Sequence, residues 1–110
     1  DDADYAGKLA EKLIHGKHYG MSKTRWEMQS RGLDKNLIED ILAEYTDDEI
    51  DEEIMRLLRT KYAEKLSDPD DRRRTVAALA RRGYSYGAVK RCIEAALADE
   101  EDFDPDEFEE

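Results

Sequence analysis

The chain has 110 residues, of which 18 are Lys or Arg and 29 are Asp or Glu, so the formal net charge is −11. This length allows one small domain or a few short repeats and excludes a large two-domain enzyme. The single cysteine, Cys92, excludes a disulfide framework, and no apolar run approaches the roughly 20 residues of a membrane-spanning helix. Taken alone, the net charge also argues against a nucleic-acid partner.

Most of this acidity belongs to the C-terminal segment. Residues 99–110 hold nine acidic side chains and no basic one, which leaves 20 acidic and 18 basic residues in 1–98, a net charge of −2. Such a segment repels itself and can bury little except Phe103 and Phe108, so we expect a disordered acidic tail over 99–110. Three roles stay open for it: a solubilising segment, a mask for the protein's own cationic surface, and a site for a basic partner.

The first half of the chain predicts three helices. Apolar residues recur at three- and four-residue spacing without sustained alternation, and the first helix is predicted over residues 4–14. A second helix over residues 22–31 is ended by Gly32. Asp34 caps a third helix that extends to Tyr45, and Leu33 precedes this cap as a hydrophobic staple for Ile38.

The second half repeats this plan. Thr46 and Glu49 form a capping box that predicts a long helix reaching Leu66. The first residues of this helix belong to a block of six carboxylates over residues 47–53, which we expect to act as an acidic linker between the two halves. Residues 69–82 follow as a helix ended by Gly83, and Ser85 caps the last helix. We therefore predict an all-α fold of two tandem three-helix repeats, 1–45 and 46–98, in an elongated, curved array followed by the tail.

The segment from residue 72 to residue 93 is strongly cationic. It holds seven Lys or Arg residues and no Asp or Glu, so one surface of this anionic protein is predicted to be basic. Guanidinium groups match the geometry of both phosphate and carboxylate, which favours contact with DNA or with an acidic protein surface. A solvated face and a dock for the acidic tail are the alternatives.

Several other side chains are candidates for chemistry, and each has a simpler interpretation. His15 and His18 could bind a metal only with further ligands such as Glu11, so two polar histidines at a frayed helix end are favoured. Cys92 lies on an apolar stripe and is expected to be a buried, inert thiol. Trp26 either covers the core or is an exposed interface anchor. Neither a phosphate-binding loop nor a nucleophile–base pair is present, so we expect no enzyme, cofactor or metal.

Three motifs lie at residues 1–6, at 17–20 followed by 31–33, and at 79–85, and their order and spacing resemble the RecX family, the bacterial regulators of the RecA recombinase. Residues 1–6 and 17–20, followed by 31–33, resemble the family's middle repeat, and residues 79–85 resemble its C-terminal signature. The chain holds two of the usual three repeats and begins inside a motif, so we expect a fragment lacking the first repeat. Met21 and Thr24 depart from the family pattern, which usually has Pro and an aliphatic residue there.

The resemblance implies a function in the bacterial cytoplasm. RecX proteins bind the RecA–single-stranded DNA filament along its groove and inhibit the ATPase, strand exchange and coprotease activities of RecA. DNA contact is then expected to be weak outside the filament, with no membrane or small-molecule partner. A DNA-binding helix-turn-helix-like protein and a helical interaction scaffold are the alternatives. The candidate contact residues are Arg72, Arg73, Arg74, Arg81, Arg82, Lys90, Arg91, Lys17, Lys23, Arg25 and Arg31.

Overall fold

The structure, a computed structural model, describes the backbone of residues 1–102 and the side chains of residues 1–99. This part of the chain contains α-helices without a strand, which confirms the all-α prediction. The helices are α1 (Asp2–Glu11), α2 (Met21–Ser30), α3 (Lys35–Leu42), α4 (Asp47–Arg59), α5 (Pro69–Arg81) and α6 (Tyr86–Asp102). Within residues 1–102 no helix combines the length and apolar character needed to cross a membrane.

The helix ends follow the capping chemistry of the sequence. The carboxylate of Asp34 accepts hydrogen bonds from the first backbone N–H groups of α3, and Asp68 accepts one from the Asp71 N–H at 3.0 Å. The Thr46 hydroxyl accepts the Glu49 N–H at 3.1 Å and starts α4. Gly32 and Gly83 have φ angles of 81° and 97°, the left-handed conformation that ends a helix most easily at glycine.

Three predicted segments differ from the structure. The helix predicted to reach Leu66 ends at Arg59, where the Thr60 hydroxyl donates to the Arg56 carbonyl and the chain turns into a 3-10 helix (Ala63–Lys65). Residues 47–53 are the first half of α4 and not a linker. The predicted tail begins at Asp99, but α6 continues to Asp102, and residues 103–110 lie outside the described residues.

Six helices form two groups of three. In the first unit, α1 packs against α2 and α3; in the second unit, α6 packs against α4 and α5. Buried side chains from both units join in one continuous core, and the molecule is elongated, measuring 60 × 31 × 19 Å. The two tandem three-helix units of the sequence are thus present, while their division at residues 45 and 98 stays a prediction.

The units meet where the loop after α1 reaches the end of α5. The Gly20 N–H donates to the Arg82 carbonyl at 2.7 Å, and the Ser22 N–H donates to the Gly83 carbonyl at 3.3 Å. A π-helical turn (Lys12–Gly16) carries the chain from α1 towards this contact. The junction therefore brings residues 17–23 of the first unit beside the last turn of α5.

Candidate functional site: a cationic groove at the junction

An open groove of about 580 Å³ crosses the junction between the units. The first unit contributes one wall, and the ends of α4 and α5 contribute the other. Five of the lining side chains are cationic and none is acidic. The lining residues, called the cationic groove below, are Lys17, Tyr19, Lys23, Lys61, Tyr62, Ala78, Arg81 and Arg82.

The lysines of the cationic groove lie against its two tyrosine rings. The Lys23 ammonium is 4.4 Å from the centre of the Tyr19 ring, with Lys17 at 6.0 Å, and Lys61 is 5.8 Å from the centre of the Tyr62 ring. These cation–π contacts orient the ammonium groups without neutralising them. Among the described residues, no carboxylate pairs with these three lysines, so their charge is available to a ligand.

The two arginines of the cationic groove have different environments. Arg81 is exposed in the last turn of α5, at the surface of the groove. Arg82 is half-buried and donates from Nη1 to the Lys17 carbonyl at 3.1 Å and to the His18 carbonyl at 3.5 Å. Arg82 therefore joins the units as well as lining the groove, so its substitution would change the fold together with the surface charge.

A buried carboxylate lies beside this junction. Glu53 of α4 is only 2 % exposed. Its Oε1 accepts hydrogen bonds from His15 Nδ1 at 2.5 Å and Arg56 Nη1 at 3.3 Å, and its Oε2 accepts one from His18 Nδ1 at 2.9 Å. His15 Nε2 donates to Glu49 at 2.7 Å. Two histidines of the first unit are thus bound to the first turns of the second unit.

These contacts shift the pKa values of the participating groups. Hydrogen bonding to Glu53 raises the pKa of His15 above its ordinary value; burial opposes this shift and the Glu49 contact adds to it. Burial alone would raise the pKa of Glu53, but the hydrogen bonds from His15 and His18 outweigh burial and lower it. The geometry therefore favours a protonated His15 beside an ionised Glu53.

The interpretation of His15 and His18 as polar residues at a frayed helix end was wrong. The sequence did contain a signal for their partner, because Glu53 falls on the apolar face of α4 together with Ile50 and Leu57. Glu11, His15 and Glu49 bring ligand atoms within 4.8 Å of one another. Hydrogen bonds already account for that proximity, since His15 donates to Glu49 and Glu11 accepts from the Tyr45 hydroxyl.

Four of the predicted contact residues lie together in the cationic groove, namely Lys17, Lys23, Arg81 and Arg82. Lys61 and the two tyrosines were not predicted, because nothing in the local sequence shows that the end of α4 faces residues 17–23. The other seven candidates have partners elsewhere. Arg25 pairs with Glu39, Arg73 with Asp70, Arg74 with Asp71 and Arg91 with Asp51, while Arg72 donates to the Leu66 carbonyl, Arg31 to the Tyr5 hydroxyl, and Lys90 lies over Tyr86.

Two other residues from the sequence analysis have clear positions. Trp26 is 62 % exposed, so it does not cover the core, which leaves the interpretation as an interface anchor. Cys92 is buried, and burial, with the nearby charge of Asp51, raises the pKa of its thiol to about 11. The thiol is thus protonated at neutral pH and unsuited to act as a nucleophile.

A family model matches the second unit, and several known proteins align with most of the chain. Residues 47–93 match the family model described as "RecX, third three-helix domain". "Regulatory protein RecX" of Mycobacterium ulcerans is 35% identical over 105 residues, which cover 93% of this chain and 61% of that protein. The namesake of Herbaspirillum seropedicae is 26% identical over 97 residues, covering 86% of this chain and 62% of its own length.

A third relative, "Regulatory protein RecX" of Streptomyces coelicolor, is 34% identical over 101 residues, covering 86% of this chain and 53% of its own length. The chain thus spans about three fifths or less of the length of these relatives. No solved structure gives a significant match. The relatives are named as regulatory proteins and not as enzymes. The third-domain match and these relatives together show that residues 47–93 resemble the third RecX domain and that most of the chain is similar to RecX regulatory proteins.

Proposed function

We propose that this protein binds the RecA–single-stranded DNA filament along the filament's groove, in the bacterial cytoplasm, and inhibits the ATPase, strand exchange and coprotease activities of RecA. The cationic groove is the contact surface in this proposal. The observation that carries it is the convergence of five cationic side chains from both units, without a carboxylate, in one groove of a protein similar to RecX regulatory proteins.

The chemistry of the groove suits a phosphate backbone. Lys17, Lys23 and Lys61 offer ammonium groups that attract phosphates and release counterions from them. Tyr19 and Tyr62 offer ring faces on which an unpaired base or sugar can stack. Of the seven predicted contact residues outside the groove, four pair with the protein's own carboxylates, which makes the groove the better candidate for a polyanionic partner.

The balance of charge favours the filament over naked DNA. Residues 1–98 carry a net charge of −2 and the whole chain carries −11, so long-range repulsion weakens an encounter with free DNA. A filament adds protein contacts to the phosphate contacts and can offset that repulsion. In this proposal RecA and the DNA strand therefore form the binding site together.

The proposal is tested by measuring RecA ATPase activity on single-stranded DNA with groove variants. The double variant Lys61→Glu, Arg81→Glu reverses two exposed groove charges and is expected to lose inhibition. The matched control, Arg73→Glu with Arg74→Glu, makes the same charge change at two exposed positions of α5 outside the groove. Equal inhibition by both variants, with helicity intact, would overturn the assignment of the groove.

A parallel measurement separates the main alternative. Binding of the same variants to naked single-stranded DNA at physiological salt is expected to be weak. Tight binding to naked DNA without any effect on RecA would instead support a direct DNA-binding protein.

A further inference from the structure

The chain segment over residues 15–19 faces two ways. Lys17 and Tyr19 line the cationic groove, whereas His15 and His18 point to the buried carboxylate of Glu53. His18 has a φ angle of 58°, a left-handed conformation that is uncommon for a residue with a side chain. Such a conformation persists where surrounding contacts hold it, and here the contact is the hydrogen bond from His18 to Glu53.

The second unit holds this segment from two sides. Glu53 of α4 binds the two imidazoles, and Arg82 at the end of α5 binds the carbonyls of Lys17 and His18. The first-unit wall of the groove is thus attached directly to both helices that carry the opposite wall. A change at Glu53 would move Lys17 and Tyr19 relative to Lys61 and Arg81 without altering any groove side chain.

The contact at His15 requires a positive charge. Both ring nitrogens lie within hydrogen-bond distance of carboxylate oxygens, at 2.5 Å from Glu53 and 2.7 Å from Glu49. A neutral imidazole has one N–H, so it can satisfy only one of these acceptors; the imidazolium satisfies both. The other groups facing His15 are Glu11 of α1 and the Tyr45 ring, 5.9 Å away, and Arg56 lies on the far side of Glu53.

We infer that Glu53 is a positioning residue, which locks His15 and His18 against the second unit and thereby sets the spacing between the two walls of the cationic groove. These contacts of His15 and His18 with Glu53, called the lock below, form when His15 is protonated and weaken as His15 loses its proton. The inference rests on the proposed function for the ligand of the groove, but the lock itself is a property of this chain.

The variant Glu53→Gln distinguishes positioning from simple electrostatics. It removes a negative charge, so charge alone predicts tighter binding of a polyanion. The lock predicts the opposite, a loss of roughly fivefold or more in affinity for a short fluorescent oligothymidylate at low salt. Glu52→Gln is the matched control, since Glu52 is the exposed neighbour on the same helix. Affinity that rises equally in both variants would overturn the inference.

A distance measurement tests the lock without any ligand. Spin labels at Asn36→Cys and Glu94→Cys, exposed positions on α3 and α6, report how the two units are held together. The distribution of distances between the two labels is expected to be narrow in the parent and in Glu52→Gln, and broader in Glu53→Gln. An equally narrow distribution in Glu53→Gln would contradict the lock even if the groove binds its ligand, whereas failure of the groove to bind oligothymidylate would leave this readout intact.

A pH series supplies a second test that needs no substitution at Glu53. In the labelled parent, the distribution is expected to broaden as the pH rises from about 6 to about 9, through the raised pKa of His15. If Glu53→Gln reduces helicity by circular dichroism, this pH series decides alone. A distribution that stays constant over that range would overturn the proposed role of the His15 proton.

Discussion

Gly20 and Gly83 touch backbone to backbone at the junction between the units. A Cβ added at Gly20 would lie 2.3 Å from the carbonyl carbon of Gly83, and a Cβ added at Gly83 would lie 2.5 Å from the backbone nitrogen of Lys23. The blocking atoms are backbone atoms and the Cβ of Lys23, whose positions the backbone fixes, so a side-chain rotation cannot relieve either clash. Glycine is therefore required on both sides of this contact.

The variant Gly20→Ala is expected to destabilise the fold by about 2 kcal/mol or more, because the junction must separate to admit the methyl group. Gly7→Ala is the control, since a Cβ at Gly7 of α1 meets nothing within 4 Å. There alanine is expected to stabilise by about 0.5–1 kcal/mol through its higher helix propensity. Chemical denaturation measures both, and an equal effect of the two substitutions would show that the glycine contact is not tight.

Gly83 illustrates which features of the fold can be predicted from the sequence and which cannot. Its role as a helix end was predicted from local pattern, and its positive φ angle confirms it. Its contact with Gly20 joins residues more than sixty positions apart, and no local pattern encodes such a pairing. Caps such as Asp34 and Thr46 were predictable for the same reason that the junction was not: a cap is complete within four residues.

In the candidate site, too, local features could be predicted from the sequence, whereas contacts between distant residues could not. Composition correctly indicated that residues 72–93 are cationic, but it did not show which charges have partners on other helices. Arg91 pairs with Asp51 across the second unit, whereas Arg81 lies in the groove beside Lys17 and Lys61. Only the packing of α4 against α6, and of one unit against the other, decides which cations stay available.

Stability is expected to depend on pH through His15 and Glu53. The pKa of His15 is raised by folding, so its contribution is complete below its ordinary pKa of 6.5 and is lost as the pH rises through the raised value. The pKa of Glu53 is lowered, so its contribution is present above the ordinary 4.5 and is lost as the pH falls through the lowered value. The two contributions coincide between about pH 4.5 and pH 6.5.

The free energy of unfolding, measured by denaturation across this range, is expected to be smaller in Glu53→Gln by about 2 kcal/mol at the optimum, the usual size of a hydrogen bond to a charged group. The variant should also show a flatter pH profile than Glu52→Gln. Coincident profiles for parent and Glu53→Gln would mean that the two histidine contacts add nothing to stability.

The hydroxyl of Tyr84 offers a test of buried polarity. Tyr84 is 4 % exposed, and its hydroxyl has no hydrogen-bond partner among the described residues. Tyr84→Phe removes an unsatisfied group, so stability is expected to stay equal or to rise by up to about 1 kcal/mol. Tyr45→Phe is the control, because the Tyr45 hydroxyl donates to Glu11 at 2.7 Å, and a loss of about 1 kcal/mol is expected. A destabilisation by Tyr84→Phe as large as that of Tyr45→Phe would reveal a partner for the hydroxyl.

Salt dependence tests whether groove lysines contact phosphates. Each phosphate contact that is lost lowers the slope of log affinity against log salt by about 0.7 for a single strand. Lys61→Gln is expected to lower the slope of oligothymidylate binding by about this amount. Lys8→Gln is the control, since Lys8 pairs with Asp4 at 3.1 Å on α1, outside the groove. A slope that falls equally for both would indicate general electrostatics and no specific contact.

Site-specific crosslinking identifies the surface that contacts the filament. A photoreactive phenylalanine analogue placed at Tyr62, in the cationic groove, or at Trp26, exposed outside it, is illuminated with the RecA–single-stranded DNA filament. Efficient crosslinking to the filament is expected from position 62, with competition by the unlabelled parent protein. Crosslinking from position 26 alone, with none from position 62, would contradict the assignment of the groove as the filament-binding surface.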